Sequence, residues 1–260
     1  MATPTALVLR AAGTNCDRET VFALEQAGAQ CERWHVNQLT ADPAPFARAQ
    51  IIALPGGFTY GDDVASGKVL AVELAQALGD RLREFVERGG LVIGICNGFQ
   101  VLVKTGLLPS AAFQAAADRV ATLTHNDSHK FECRWVKLRA EANTVCVFAQ
   151  KDEIIEIPAA HGEGKLVARS PEVVAEWERQ GQVVYRYVVP TGGDYPADPN
   201  GSVGHIAGLC DRTGRIFGLM PHPERHIFPY QHPRWTRDPA AANAAGAKIF
   251  RRAVQFLQNN

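Results

Sequence analysis

Through its first 120 residues the chain alternates short apolar runs with amphipathic stretches, and glycine or proline marks most of the joins. ALVLR (6–10), IIALP (51–55) and LVIGI (91–95) are continuous apolar runs with β-branched members, the pattern of strands buried on both faces. CERWHV (31–36) alternates as a half-exposed strand does. Between these runs, Asn15 or Asp17 is placed to cap a helix over RETVFALEQAG, which Gly28 would end. Residues 67–87 carry helical periodicity broken near Gly79-Asp80, and residues 98–103 run as a helix toward the stop signals Gly106 and Pro109. Strands alternating with helices predict a parallel sheet covered on both faces.

After residue 120 the pattern turns strand-rich: FECRWVKLRA (131–140), TVCVFA (144–149), KLVARS (165–170), VVYRYVV (183–189) and HIAGLCDRTGRIFGLM (205–220). The last reads as a hairpin turning over Asp211 to Gly214. TGGDYPADPNGS (191–202) has the glycine, proline and asparagine of a loop, and the segment from Ala240 onward reads as an amphipathic closing helix. The expected architecture is α/β: a flavodoxin-like open sheet, mostly parallel, with helices on both faces and an added strand-rich region. Residues 1–260 are expected to form a single domain.

Composition narrows the function. With 27 basic and 27 acidic residues the formal charge is zero, which argues against a nucleic-acid surface or an acidic tail. No apolar run is long enough to cross a bilayer, and MATPTALVLRAAGTNCD has no signal-peptide design. The six cysteines show no Cys-x-x-Cys spacing and are expected to be reduced thiols of a cytoplasmic protein.

One of those cysteines carries candidate chemistry. Cys96 follows the LVIGI strand directly and begins a helix, with Gly94 and Gly98 on either side. Ligand sites in open α/β sheets lie beyond the carboxyl ends of the strands. At a helix N-terminus, free backbone N–H groups and the helix dipole favour a thiolate. The same pattern also suits an inert buried thiol; the other five cysteines are assigned to packing. A nucleophilic thiol needs a base, and the base an orienting group. In MPHPER (220–225), Pro221 and Pro223 hold the chain extended, so His222 and Glu224 project to one side. Glu224 paired with Arg225 and His222 as a loop residue is the plainer alternative. Donors for an oxyanion are available at the N–H groups of Asn97 and Gly57, although GGFTYGDD also suits a tight turn. His222, His226 and His232 fit no compact zinc spacing, and no metal is expected.

Six stretches taken together resemble one family: AAGTNCDRET, PGGFTYGDDVASGKVLA (55–71), GICNGFQVLVKTGLLP (94–109), FECRWV (131–136), DPNGS (198–202) and GLMPHPER (218–225). In this order, over most of the chain, they resemble the class I (triad) glutamine amidotransferases, and among them the glutaminase components of phosphoribosylformylglycinamidine synthase. Ala12 departs from a proline often found there. The resemblance implies that Cys96 attacks the side-chain amide of glutamine, with His222 as proton carrier, Glu224 as its orienter and Gly57 and Asn97 as oxyanion donors. It places Gln100, about one turn beyond Cys96, on the substrate, with Phe58, Asn126, Ser128 and Phe131 as further substrate contacts. The implied partner is a separate formylglycinamide ribonucleotide synthetase subunit, with a small accessory subunit left open. GDDVASGK is no Walker A loop, having the wrong glycine spacing and Val69 at the magnesium-binding position. ATP and magnesium are therefore expected on the synthetase, and no cofactor on this chain. A glutaminase serving another synthetase, a cysteine hydrolase and a non-catalytic binding module on a related fold are the competing readings.

Overall fold

A computed structural model describes residues 3–188, 198–238 and 243–260. The chain begins with β1 (Thr5–Arg10), α1 (Asp17–Gln26), β2 (Gln30–His35), the short helices α2 (Val36–Ala41) and α3 (Ala44–Arg48), and β3 (Ile51–Leu54). It continues through α4 (Lys68–Ala77), α5 (Gly79–Glu87), β4 (Leu91–Ile95), α6 (Asn97–Thr105) and α7 (Leu107–Ser110). Then follow β5 (Ala121–Thr124), β6 (Glu132–Ala140), β7 (Ile154–His161), β8 (Lys165–Ala168), α8 (Pro171–Arg179) and β9 (Val183–Tyr187). The hairpin β10 (Ile206–Cys210) and β11 (Ile216–Leu219) and the closing helix α9 (Ala245–Asn259) complete it.

Nine strands form one sheet in the order β2-β1-β3-β4-β11-β10-β9-β6-β7, and β5 pairs with β8 in a separate ribbon. From β2 to β11 the neighbours are parallel; from β11 to β7 they are antiparallel. The added strand-rich region is thus the second half of the same sheet. The apolar runs of β3 and β4 are buried along their whole length, as strands covered on both faces must be. Helices flank the sheet, with α4 packed on α6 and α1 on α9.

The parallel register assembles the site. Leu54 pairs with Gly94 and Leu219 with Ile95, so β3, β4 and β11 release the chain at one end. Cys96 emerges there beside the segment leading to His222, and its N–H donates to the Leu219 carbonyl at 2.8 Å. β1 ends on the same side, and a bridge between Thr14 and Gly57 ties its loop to the one after β3. The antiparallel half curls back far enough for its edge strand to reach this end, where the His222 N–H donates to Pro158 of β7 at 2.7 Å. Close approach of α6 to the strands requires Gly98, where a Cβ would lie 1.9 Å from the Leu54 carbonyl oxygen.

Several local expectations are corrected. The N-cap of α1 is Cys16, with no side-chain cap, in place of Asn15 or Asp17. Residues 144–149 form no strand: the Val145 and Val147 N–H groups bond to Gly181 and Gly214 in two different turns. The helix expected from Ala240 begins at Ala245, with residues 239–242 outside the described residues. Of the 191–202 loop, only residues 198–202 are described.

Candidate active site

Cys96 has φ 51° and ψ −106° between β4 and α6, a conformation that costs a non-glycine residue about 1–3 kcal/mol. The surroundings enforce it: the Cys96 N–H is held by Leu219, and its carbonyl accepts the first α6 bond from Gln100 at 3.1 Å. The result is a sharp turn that puts the sulfur into a cleft while only 6% of the residue is exposed.

His222 precedes the short 3₁₀ turn Pro223–Arg225 and remains extended, as a residue before proline should. Its Nδ1 lies 2.6 Å from Glu224 Oε1, and both residues are buried. The Cys96 and Cys16 sulfurs stand beside the ring. Gly56 makes that crowding possible: a Cβ there would lie 2.8 Å from His222 Cε1 and 3.4 Å from both Cys16 Sγ and Cys96 Cβ. Burial works against a charged imidazole, but the Glu224 carboxylate, Cys96 and Cys16 outweigh it, and the His222 pKa is raised well above the ordinary value. His222 Nε2 makes no hydrogen bond among the described residues, and the Cys96 thiol donates toward the Ala160 carbonyl at 3.7 Å. Alignments of this kind tighten when substrate binds.

Of the two residues expected to supply oxyanion donors, Gly57 lines the cleft and Asn97 directly follows Cys96. Asn97 is the first residue of α6, where an N–H has no intrahelical acceptor. Its side chain is fixed by Thr59 Oγ1 at 2.6 Å, Asp62 Oδ1 at 3.1 Å and Gln100 Oε1 at 3.0 Å. Gly57 has φ 146°, and a Cβ would lie 2.8 Å from both Asn15 N and the Gly13 carbonyl oxygen. The bridge to Thr14 is made by the N–H groups of Phe58 and Asn15, so the Gly57 N–H takes no part in it.

Cys96, His222 and Gly57 line a cleft of about 180 Å³, together with Gln100, Phe58 and Phe131. The two phenylalanines are exposed and stack at 6.2 Å on its rim. Gln100 donates to the Glu163 carbonyl, fixing its amide against the cleft. Asn126 and Ser128 do not line it. Asn126 is fully buried, and its amide is committed to the turn after β7, donating to the His161 carbonyl at 2.8 Å and accepting from Gly164 N–H at 2.9 Å. Ser128 is exposed and donates to Glu132 at 2.9 Å.

The chain matches the model of the CobB/CobQ-like glutamine amidotransferase domain over residues 3–257. It belongs to that family. A phosphoribosylformylglycinamidine synthase subunit PurQ from Dehalococcoides mccartyi is 48% identical, with 97% of each chain covered. The Archaeoglobus fulgidus subunit of the same name is 38% identical over 96% of each. Among solved structures, PurLQS from Thermotoga maritima superposes with a TM-score of 0.72 at 33% identity, covering 98% of this chain and 100% of that one. A glutamine amidotransferase from the same organism, 13% identical with a TM-score of 0.57, shares the fold over 98% of this chain and 97% of its own.

Other members of the cleft of this glutamine amidotransferase carry no local sequence signal. Asp62 and Glu163 stand together on one side; burial, opposed in part by hydrogen bonding and reinforced by the Glu163 charge, raises the Asp62 pKa. Arg225 brings a cation to the lining, and the buried His161 adds a neutral ring whose pKa falls to about 3 through burial and then the His222 charge. Cys16, assigned to packing from sequence, is part of the site: its sulfur lies 3.1 Å from Arg225 Nη2 and beside His222. The 3.6-residue and two-residue periods mark elements, whereas these contacts arise from loops that only the parallel register juxtaposes.

Proposed function

We propose that this chain is the glutaminase subunit of phosphoribosylformylglycinamidine synthase, with Cys96, His222 and Glu224 as its catalytic triad. The observation that carries the reading is near-full-length identity of up to 48% to subunits of that name, together with a thiol and an imidazole in one cleft and a buried carboxylate 2.6 Å from the imidazole.

The geometry supports a two-step acyl transfer. The raised His222 pKa favours the imidazolium in the free enzyme. Cys96 Sγ attacks the amide carbon of glutamine, and negative charge develops on the carbonyl oxygen facing the N–H groups of Asn97 and Gly57. His222 gives its proton to the departing nitrogen, which leaves as ammonia, and a glutamyl thioester remains on Cys96. Neutral His222 then takes a proton from water as the oxygen attacks the thioester. Glutamate leaves, and the starting protonation is restored. Glu224 holds the ring and stabilises its charge in both steps. Gln100, Phe58 and Phe131 shape the glutamine pocket.

Ammonia passes to a separate formylglycinamide ribonucleotide synthetase subunit, which holds ATP and magnesium. Free ammonia release would waste glutamine, so turnover by the chain alone is low and rises on docking. No helix among the described residues is long and apolar enough to cross a membrane, and we place the complex in the cytoplasm. Mixing the purified chain with that synthetase subunit tests the reading: glutamine-dependent amidine formation supports it. Turnover only with a different synthetase would move the chain to another pathway.

A further inference from the structure

The Cys16 sulfur beside His222 has no task in the acyl-transfer scheme. Cys16 is the N-cap of α1, fastened by its N–H to the Gly56 carbonyl at 3.2 Å and by Thr20 Oγ1 to its own carbonyl at 2.7 Å. Cys16 Sγ, a His222 ring nitrogen and a Glu224 carboxylate oxygen all lie within 4.8 Å of one another, and each residue is more than nine-tenths buried. Among the described residues no other group of three such donors is as compact. His222 Nε2 and Glu224 Oε2 are buried without a hydrogen-bond partner. On losing its proton the imidazole joins the carboxylate and the sulfur as a donor to a cation.

Sulfur, imidazole and carboxylate together suit zinc, which takes three protein ligands readily and keeps a fourth position for water or another donor. Donors of a tetrahedral zinc site stand about 3.3–3.8 Å apart, given metal–ligand distances near 2.0–2.3 Å. The three donors, all within 4.8 Å of one another, stand near that spacing. We propose that Cys16, His222 and Glu224 form an inhibitory site for zinc or a similar borderline-soft divalent cation. Occupation engages the imidazole and the carboxylate that the reaction needs, so metal binding and glutamine turnover exclude each other.

Arg225 is the resident competitor. Its Nη2 donates to Cys16 Sγ at 3.1 Å, and its Nε stands 4.0 Å from Glu224 Oε1, so it holds the place of a cation when no metal is present. The Arg225 side chain is 37% exposed, whereas that of Glu224 is fully buried, and a guanidinium on a long stem can turn out to solvent. Asn15 Oδ1, 3.2 Å from Cys16 Sγ, is the sulfur's other polar neighbour.

The test separates this site from ordinary attack of zinc on the nucleophile. Zinc is titrated into the full chain with stoichiometry read by equilibrium dialysis, and cobalt(II) replaces it to give a sulfur-to-metal charge-transfer band. Wild type is expected to bind one equivalent, to stop releasing glutamate as that equivalent binds, and to recover with chelator. Cys96→Ala keeps the metal and the band. Cys16→Ser loses the band and weakens binding more than about a hundredfold, since even an outer-shell partner is worth 10–100-fold. Glu224→Gln weakens it in parallel, and unchanged circular dichroism verifies that each variant is folded. Metal lost from Cys96→Ala but kept by Cys16→Ser would overturn the proposal, as would the absence of a stoichiometric site in wild type or bound metal that leaves turnover intact. The binding readout needs no glutaminase activity, so its failure is distinct from failure of the functional reading.

Discussion

Glu224→Gln isolates the contribution of one buried charge. The amide preserves the size of the side chain and an oxygen or nitrogen near His222 Nδ1, 2.6 Å away in the parent, but removes the negative charge. Charge-assisted hydrogen bonds contribute about 1.5–3 kcal/mol, and stripping one partner from a buried ion pair costs about 3–5 kcal/mol. Neither Glu224 nor His222 has solvent to compensate, with side chains 0% and 2% exposed. A loss of about 3 kcal/mol in stabilising the imidazolium corresponds to roughly a hundredfold lower kcat/KM for glutamine. The pH profile gives the sign. Glu224 is the largest of the influences that raise the His222 pKa, so without it the imidazolium loses its proton at lower pH. The alkaline limb of kcat/KM, which reports the free enzyme, therefore moves to lower pH. Glutamate release is followed from pH 5 to 10 with the synthetase present. A loss smaller than about fivefold with an unmoved alkaline limb would refute the role given to Glu224.

Two glycines packed around the triad should fail differently. Gly98→Ala drives a Cβ into the Leu54 backbone and is expected to destabilise the fold by about 1–3 kcal/mol or more, read by urea unfolding; unchanged stability would contradict the close α6–β3 contact. Gly56→Ala meets the His222 ring at 2.8 Å and is expected to lower kcat more than about tenfold in a folded protein, with the parent rate contradicting the crowding described. Cys96→Ser should abolish thioester-dependent glutamate release, and parent-like turnover would remove Cys96 from the mechanism. His161 has a folded pKa of about 3 against an unfolded value near 6.5, so the unfolded chain binds the extra proton between them. Its contribution is complete above pH ~6.5 and falls as pH drops toward 3, amounting to about 3 kcal/mol of lost stability by pH ~4. His161→Gln should flatten that acid slope in urea unfolding, and identical slopes would contradict the buried neutral ring.

The sequence made legible what short-range pattern encodes. β3 and β4 were readable because strands covered on both faces are apolar throughout, and Cys96 because it stands where that run gives way to a helix. The His222–Glu224 pair followed from two prolines that hold the chain extended. β7 was not readable: Pro158 interrupts its pattern, which an edge strand tolerates because no strand pairs with its outer side. TVCVFA misled in the opposite direction, since Cys146 and Phe148 fill the core while its backbone bonds go to separate turns. Asn126 and Ser128 came from resemblance alone, and the Asn126 amide is consumed in building the 161–164 turn. Asp62, Glu163 and Arg225 reach the cleft from three different loops, and Cys16 reaches His222 and Arg225 from a fourth. No spacing along the chain records that convergence; it follows from strand order.

The covalent intermediate is the most direct measurement. The complex is mixed with glutamine, quenched in acid, digested with protease and analysed by mass spectrometry. The account predicts a glutamyl group on the peptide bearing Cys96, absent from Cys96→Ala and released as glutamate on return to neutral pH. Turnover that proceeds with that peptide unmodified, or a glutamyl group carried on any other residue, would contradict it.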